Sequence, residues 1–203
     1  SSNLTLCGSS SFHDFSHMAG HVHLCSQANF TIEGSAIFSA GDFSADLFST
    51  ITLSGSIATW KSQSVFESKG FTIIGPNTHA FWERDAVVES TGEVLVDRAS
   101  ILSVETQQAF LAALEGVGET IVRPNALLRI SNGFFRCTGV LSVEPVGQIK
   151  FVGSKRGFIS GMIKLKGANA LMTLEATDLR VSGVLFLAGT LRFVGTSPSL
   201  IVL

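Results

Sequence analysis

Four of the five histidines lie between two of the three cysteines, in the stretch from Cys7 to Cys25. The stretch also carries a carboxylate, so that its candidate metal ligands are Cys7, His13, Asp14, His17, His21, His23 and Cys25. Imidazole, thiolate and carboxylate groups bind zinc and copper, but this spacing matches no zinc-finger pattern. Thiolates would also be oxidised in an extracellular compartment. The sequence therefore predicts no bound metal and no other cofactor.

The two cysteines are better read as a disulfide. A bond between Cys7 and Cys25 closes a short ring, and the loop entropy that it removes from the unfolded chain is worth about 3 kcal/mol. We expect this bond to clamp a polar N-terminal cap segment, residues 1–27, onto a body formed by residues 28–203. The histidines of the cap are then mostly solvated.

Two glycosylation sequons flank this segment. Asn3-Leu4-Thr5 and Asn29-Phe30-Thr31 both fit the acceptor pattern. A chain that starts at Ser1 without a signal peptide fits a processed secreted protein. Sequons, a disulfide and this starting residue together predict an extracellular glycoprotein, either secreted or held at the cell surface.

Acidic side chains are the other candidates for chemistry. The pairs that could act across a cleft, or bind calcium, are Asp42 with Asp46, Glu83 with Asp85, and Glu115 with Glu119. Polysaccharide lyases and hydrolases use carboxylates in this way. No pair is joined to a basic residue at a recognisable spacing, and no nucleophile or metalloprotease motif is present. We predict a protein that is not an enzyme, with a polysaccharide-active enzyme as an alternative.

Composition limits the architecture that can hold these residues. The chain has 203 residues, of which 45% are hydrophobic and 15% are charged. Ordinary domains have roughly 25% charged residues, so much of this chain must be buried or face a partner. No run approaches the ~18 apolar residues of a membrane-spanning helix. We expect one folded unit and no membrane insertion.

A five-residue pattern recurs along the chain, with apolar residues at its first and third positions and glycine at its fifth. Its nine copies are FTIEG, ITLSG and FTIIG, ending at Gly34, Gly55 and Gly75, and FRCTG, IKFVG, IKLKG, LRVSG, LFLAG and LRFVG, ending at Gly139, Gly153, Gly167, Gly183, Gly189 and Gly195. Alternating apolar residues are typical of a strand, and glycine allows a sharp corner after it.

The spacing of the first copies favours a β-solenoid. Successive copies are 21 and 20 residues apart, and hairpin signals are scarce, since Asn132-Gly133 is the only Asn-Gly. We predict an all-β, parallel β-helix or β-solenoid of roughly 20-residue coils, rather than a β-sandwich or jelly roll. Residues 103–118 could add a short amphipathic helix near 105–115, with another coil as the alternative.

Charge is unevenly distributed along the chain. Residues 1–149 contain seven Lys and Arg against fourteen Asp and Glu, whereas residues 150–203 contain seven against two. In a solenoid this becomes an acidic N-terminal part and a basic C-terminal part. Few aromatic residues accompany the basic ones, so we expect no nucleic-acid partner.

The last residues are apolar and suggest assembly. Leu200, Ile201, Val202 and Leu203 would leave an uncapped coil, which invites head-to-tail stacking into a polymer. We predict a non-catalytic structural subunit of an extracellular fibre or surface assembly. A carbohydrate- or ice-binding solenoid is an alternative, because Thr31, Thr52 and Thr72 share one repeat position, and glycans are then further partners.

Overall fold

The computed structural model describes residues 2–17, 19–61, 64–83, 86–104, 108–111, 119–131, 134–153 and 156–203. In these residues the chain forms β-strands and turns without a helix. Every strand pairing among them is parallel. The predicted β-solenoid is confirmed: the chain winds around one axis, and each strand pairs with strands one turn away.

The coil has three faces, and face 1 is a sheet of ten strands. Its strands are β1 (Ser2–Leu6), β3 (Gly20–Leu24), β5 (Gly41–Ala45), β7 (Ser64–Ser68), β10 (Val87–Ser90), β13 (Gln108–Leu111), β16 (Phe134–Cys137), β19 (Arg156–Ile159), β22 (Asp178–Val181) and β25 (Ser199–Val202). We number the levels of the solenoid by these strands, so that β1 marks level 1 and β25 marks level 10.

Faces 2 and 3 belong to one fifteen-stranded sheet. Three long strands bend from face 2 to face 3, namely β2 (Ser9–His17), β4 (Asn29–Phe38) and β6 (Thr50–Trp60). Face 2 continues with β8 (Phe71–Ile74), β11 (Glu93–Val96), β14 (Glu119–Val122), β17 (Val140–Val143), β20 (Met162–Leu165) and β23 (Val184–Leu187). Face 3 continues with β9 (His79–Trp82), β12 (Ile101–Val104), β15 (Leu127–Ser131), β18 (Gln148–Val152), β21 (Leu171–Glu175) and β24 (Thr190–Val194).

The length of a turn varies along the axis. Asn29 pairs with Thr50, which pairs with Phe71, so the predicted 21-residue repeat holds there. In the middle, Gln108 pairs with Phe134 and the turn is longer by five residues. The predicted helix is wrong for β13, which is a strand; residues 105–107 and 112–118 lie outside the described residues.

The segment predicted to be a cap is itself built as solenoid. β1 pairs with β3, and the first half of β2 pairs with the first half of β4, in the same parallel arrangement as the later levels. Residues 2–24 therefore supply level 1 and the first strand of level 2.

Inward side chains form a continuous apolar core whose composition changes along the axis. In the N-terminal levels it is a chain of contacting rings: Phe12, Phe15, Phe30, Phe38, Phe43, Trp60, Phe66 and Trp82. Further along, the buried columns are mostly aliphatic, for example Leu128 and Ile149 followed by Met172 on face 3. Each buried side chain of this size contributes about 1.5–3 kcal/mol.

A recurrent four-residue turn makes many of the corners. Its first carbonyl accepts the N–H of its fourth residue, as from Glu144 to Gly147 and from Arg123 to Ala126. The third residue has a positive φ, for example 57° at Asn77 and 60° at Asn125. Pro76 and Pro124 precede these residues, which is the pattern of a type II turn.

Glycines stack at the corner between faces 1 and 2. A Cβ on Gly92 would overlap the carbonyl oxygen of Gly70, and a Cβ on Gly183 would overlap that of Gly161. Because parallel levels lie only about 4.8 Å apart, side chains cannot fit at this corner. Of these four glycines, Gly183 ends a copy of the five-residue pattern, and there the pattern glycine marks close approach of backbones.

Candidate functional site

The predicted cysteine pair lies at disulfide distance. Cys7 follows β1 and Cys25 follows β3, so the two residues occupy equivalent corners of levels 1 and 2, with Cα atoms 4.8 Å apart. The Cys25 N–H donates to the Leu6 carbonyl at 3.0 Å beside the bond. The bond therefore ties the first level of the solenoid to the second.

Three histidines of this segment have described side chains, and they lie in two places. His21 and His23 point outward from face 1, and each meets a carboxylate of the next level: His21 Nδ1 is 3.4 Å from Asp42 Oδ2, and His23 Nε2 is 3.4 Å from Asp46 Oδ2. His13 lies at the bend of β2, where its Nε2 is 3.7 Å from an Asp14 carboxylate oxygen. Among the side chains that the structure describes, no three ligands of the His, Cys, Asp or Glu type converge.

Ser44 joins one of these pairs. Its Oγ is 3.0 Å from His23 Nδ1, which places a serine, an imidazole and the Asp46 carboxylate in contact. These are the residue types of a hydrolase triad, but here they lie on the outer side of a flat sheet. β3 and β5 are paired on both edges, so their N–H groups are used in the ladder and none is aimed at an oxyanion. The arrangement links levels 2 and 3.

Of the carboxylate pairs predicted from the sequence, only Asp42 with Asp46 lies wholly within the described residues. Asp42 and Asp46 each face a histidine. Glu119 accepts a hydrogen bond from Ser142 Oγ at 2.5 Å and lies 3.9 Å from Lys166 Nζ. Glu83 follows β9, whereas Asp85 and Glu115, the partners proposed for Glu83 and Glu119, lie outside the described residues.

The predicted line of three threonines is wrong. Thr31 pairs with Thr52 on the outer side of face 2, but Thr52 pairs with Ile73, and Thr72 points inward and is buried. The FTIIG copy of the pattern is shifted by one residue relative to its neighbours. A one-residue shift moves every side chain of a strand to the other side of the sheet. The outward ladder that motivated ice or sugar binding is therefore two threonines long at this position.

Both sequon asparagines are exposed. Asn3 lies on the outer side of face 1 at level 1, and Asn29 lies on the outer side of face 2 at level 2. The glycosylation of both residues stays a prediction.

Basic residues gather on the outer side of face 3 near the C-terminus. Arg129, Lys150, Thr173 and Arg192 form one outward column. Lys150 Nζ is 2.7 Å from Glu175 Oε2, and this hydrogen bond, with the charges of Lys150 and Arg129, lowers the pKa of Glu175 below its usual value. Because order in the chain is height along the axis, the basic residues 150–203 occupy one end of the rod.

Cys137 belongs to the core. It points inward from face 1 next to Ile159, and burial raises the pKa of its thiol to about 11. It is a buried apolar residue, as the alternation of the sequence predicts.

The C-terminal end of the solenoid leaves its core uncovered. The inward columns continue onto the last strands, where Leu165 is followed by Leu187, Leu174 by Phe193, and Val181 by Val202. The earlier member of each pair is buried, but Leu187, Phe193 and Val202 are 42%, 49% and 53% exposed. The hydrophobic interior thus opens onto the end surface.

The predicted assembly residues have different orientations within this end. Leu200 and Val202 point inward from β25, Ile201 points outward beside Arg180, and Leu203 follows the strand and is largely exposed. Leu187 and Phe193 were missed, although they belong to the last two copies of the five-residue pattern. They can be identified only when the pairing register between levels is known, because each of them pairs with a buried residue of the preceding level.

The N-terminal end is also uncovered. Leu4 is 39% exposed, and Leu6, Phe12 and Phe15 are only partly buried against the core. β1 and β2 each pair with a strand of level 2 and have a free edge on their other side in the described residues. The two ends therefore present complementary features: unpaired parallel strand edges around an apolar centre.

No helix in the described part of the chain is long and apolar enough to cross a membrane. No protein-family model, no curated protein and no solved structure matches this chain.

Proposed function

We propose that this protein is a non-catalytic structural subunit whose copies stack head to tail into an extracellular fibre or surface assembly. The observation that carries the proposal is the free edge of β25 at the C-terminal end of the described solenoid, where the inward side chain of Val202 is 53% exposed. Apolar side chains and free strand edges both gain free energy when a second β-layer covers them. The N-terminal end of another copy offers such a layer.

The two ends match in side-chain direction. If β1 of one copy pairs with β25 of another, Leu4 and Leu6 extend the inward columns of Leu200 and Val202. The outward residues of β1 and β25 then also lie on the same outer surface of face 1. The joint would thus repeat the parallel pairing that connects every pair of adjacent levels within the chain.

The faces end at unequal heights. Face 1 has ten strands, whereas face 2 and face 3 each end one level earlier, at β23 and β24. When β1 of a second copy pairs with β25, a gap one strand wide remains next to β23 and β24. The joint is therefore formed mainly by face 1, and Val202 is its most exposed inward residue.

Charge favours the same polarity of assembly. The basic levels of one copy would approach the acidic levels of the next, with Arg180 and Arg192 near one end and Asp14 and Glu33 near the other. Complementary potentials of this kind mainly accelerate and orient association. The Cys7–Cys25 pair supports an oxidising compartment, in which Asn3 and Asn29 would be glycosylated.

Adjacent residues of β25 provide the test. Val202→Asp places a carboxylate in the centre of the joint, whereas Ile201→Lys changes the outward side of the same strand. We expect Val202→Asp to abolish polymers in sedimentation velocity, and Ile201→Lys to keep them. Thermal unfolding of both variants controls for folding. Monomers at every wild-type concentration, or equal loss of polymers in both variants, would refute the proposed function.

A further inference from the structure

The outer side of face 2 carries two different surfaces. In the first three levels its central outward residues are Ser11, Thr31 and Thr52. From level 4 to level 9 most outward residues are apolar, and this apolar stripe consists of Phe71, Ile73, Leu95, Ile121, Val140, Met162, Val184 and Phe186. Phe71, Val184 and Phe186 are 42%, 56% and 58% exposed. An outward sheet face that is mostly apolar is a candidate interaction surface.

Charged residues interrupt the stripe in a definite order. Glu93 lies at level 5 and Glu119 at level 6, whereas Lys164 lies at level 8. Glu119 has a partner within the chain in Lys166. Glu93 and Lys164 form no ion pair among the described residues, and the three levels between them, at about 4.8 Å each, prevent them from meeting within one copy.

We propose that the apolar stripe binds the same stripe of a second copy, with the two rods side by side and antiparallel. A twofold axis between levels 6 and 7 brings level 5 of each copy against level 8 of the other. Glu93 of one copy then shares a level with Lys164 of the other, twice by symmetry. Ile73 lies opposite Phe186, and the centre is formed by Ile121 and Val140.

Charge decides between the two possible directions. In a parallel side-by-side pair, each level meets its own equivalent, so that Glu93 approaches Glu93 and Lys164 approaches Lys164. In the antiparallel pair opposite charges meet, and the acidic residues 1–149 of one rod lie along the basic residues 150–203 of the other. Juxtaposed like charges are strongly selected against at interfaces.

The size of the stripe predicts a weak association. Six strands of about four residues cover roughly 30 Å by 13 Å on each copy. This footprint, about 400 Å² on each copy and about 800 Å² in total, is smaller than a stable specific interface and corresponds to a weak, transient one. The dimer is therefore expected to depend on concentration, and it is independent of the end joint because it uses the side of the rod.

The first experiment measures dimerisation by sedimentation equilibrium in the Val202→Asp background, in which end-to-end stacking is removed. Ile121→Lys adds a charge at the centre of the stripe. Leu127→Lys is the matched control, since Leu127 is half-buried and points outward at the same level on face 3. We expect Ile121→Lys to weaken the dimer at least about tenfold, as for a central interface residue, and Leu127→Lys to leave its dissociation constant within about twofold, as for a change outside the interface.

The second experiment reverses the charges. Glu93→Lys and Lys164→Glu should each weaken the dimer, and the double variant should restore it, because opposite charges again share a level. Circular dichroism and thermal unfolding verify that all variants are folded. A monomeric background protein at all concentrations, equal effects of Ile121→Lys and Leu127→Lys, or a double variant no better than the single ones would overturn the antiparallel pairing. Dimers in this background would support it even if head-to-tail stacking failed its own test.

Discussion

The first four levels and the last five levels of the solenoid share one backbone plan but hold their levels together differently. In the N-terminal levels, ring contacts such as Phe38 with Trp60 cross from level to level, and a disulfide fastens the outermost turn. In the C-terminal levels the buried columns are mostly aliphatic, and their last members are partly exposed. The difference indicates that the N-terminal levels are reinforced by ring contacts and a disulfide, whereas the described C-terminal levels have neither a disulfide nor a chain of contacting rings.

The outer surfaces of the two regions also differ. Histidine–aspartate pairs connect levels 2 and 3 on face 1, while basic residues and apolar side chains dominate the outer surfaces of the later levels. Because chain order is axial order, each of these surfaces has a fixed height. Substitutions in the N-terminal levels and in the C-terminal levels can therefore test the two regions separately.

The largest expected effect comes from the aromatic core. Trp60→Ala removes a ring that stacks 4.5 Å from Phe38 and lies 5.2 Å from Phe66, and we expect it to lower the free energy of unfolding by about 3–5 kcal/mol.

A double-mutant cycle compares the coupling between neighbouring core residues in the two regions. Phe38 and Trp60 are paired neighbours on face 3, and so are Leu128 and Ile149 in the aliphatic part.

We expect the aromatic pair to show a coupling about 0.5–1.5 kcal/mol larger than the aliphatic pair, the excess that ring contacts add beyond buried area. Urea unfolding of the single and double alanine variants measures it. Trp60→Phe is the control: the Trp60 Nε1–H has no hydrogen-bond partner in the described structure, so this change loses no hydrogen bond there and keeps an aromatic ring, although a smaller one. Equal couplings in the two pairs would remove the distinction between the regions.

A smaller effect is expected from the disulfide. Replacing Cys7 and Cys25 together by serine should lower the free energy of opening the first level by about 3 kcal/mol. The loss should be local, because the bond fastens only level 1 to level 2. Amide hydrogen exchange should therefore accelerate in β1 and β2 and remain unchanged in β23 to β25. Equal acceleration at both ends, or none in β1 and β2, would contradict the proposed reinforcement of the N-terminal end.

The smallest effect concerns the exposed pair in the C-terminal part. The Lys150 ammonium lowers the pKa of Glu175 in the folded state, so the pair stabilises the fold above the ordinary pKa of the carboxyl group. This contribution is lost as the pH falls through the lowered value. Glu175→Gln should flatten the acid branch of the stability profile, and Lys150→Met, which removes the partner of Glu175, should flatten it in the same way. An unchanged profile in Glu175→Gln would exclude the ion pair as a contributor.

Much of the fold could be predicted because alternation and glycine spacing reflect local geometry. The inward positions of Phe30, Ile51, Ile149 and Leu179 follow directly from the five-residue pattern. The pattern could not show that its early copies lie on face 2 while later copies are spread over all three faces. It also could not reveal the one-residue shift at Thr72, which depends on how two turns stack.

Less of the candidate site than of the fold could be predicted from the sequence. The cysteine pair and the apolar end follow from composition and spacing, but the exposure of Phe193 and the lateral stripe of face 2 require the register between levels. The turns were also missed, although Pro76-Asn77 and Pro124-Asn125 carry a type II turn signal. The apolar pattern near residue 110 also fits a helix, but pairing on both edges makes β13 a strand.

The most direct test of the account is electron cryomicroscopy of the purified protein over a range of concentrations. If β25 of each copy carries β1 of the next, unbranched filaments should form whose axial repeat is ten levels, about 48 Å at about 4.8 Å per level. Isolated particles at every concentration, or filaments whose strands run along the axis rather than across it, would contradict the account.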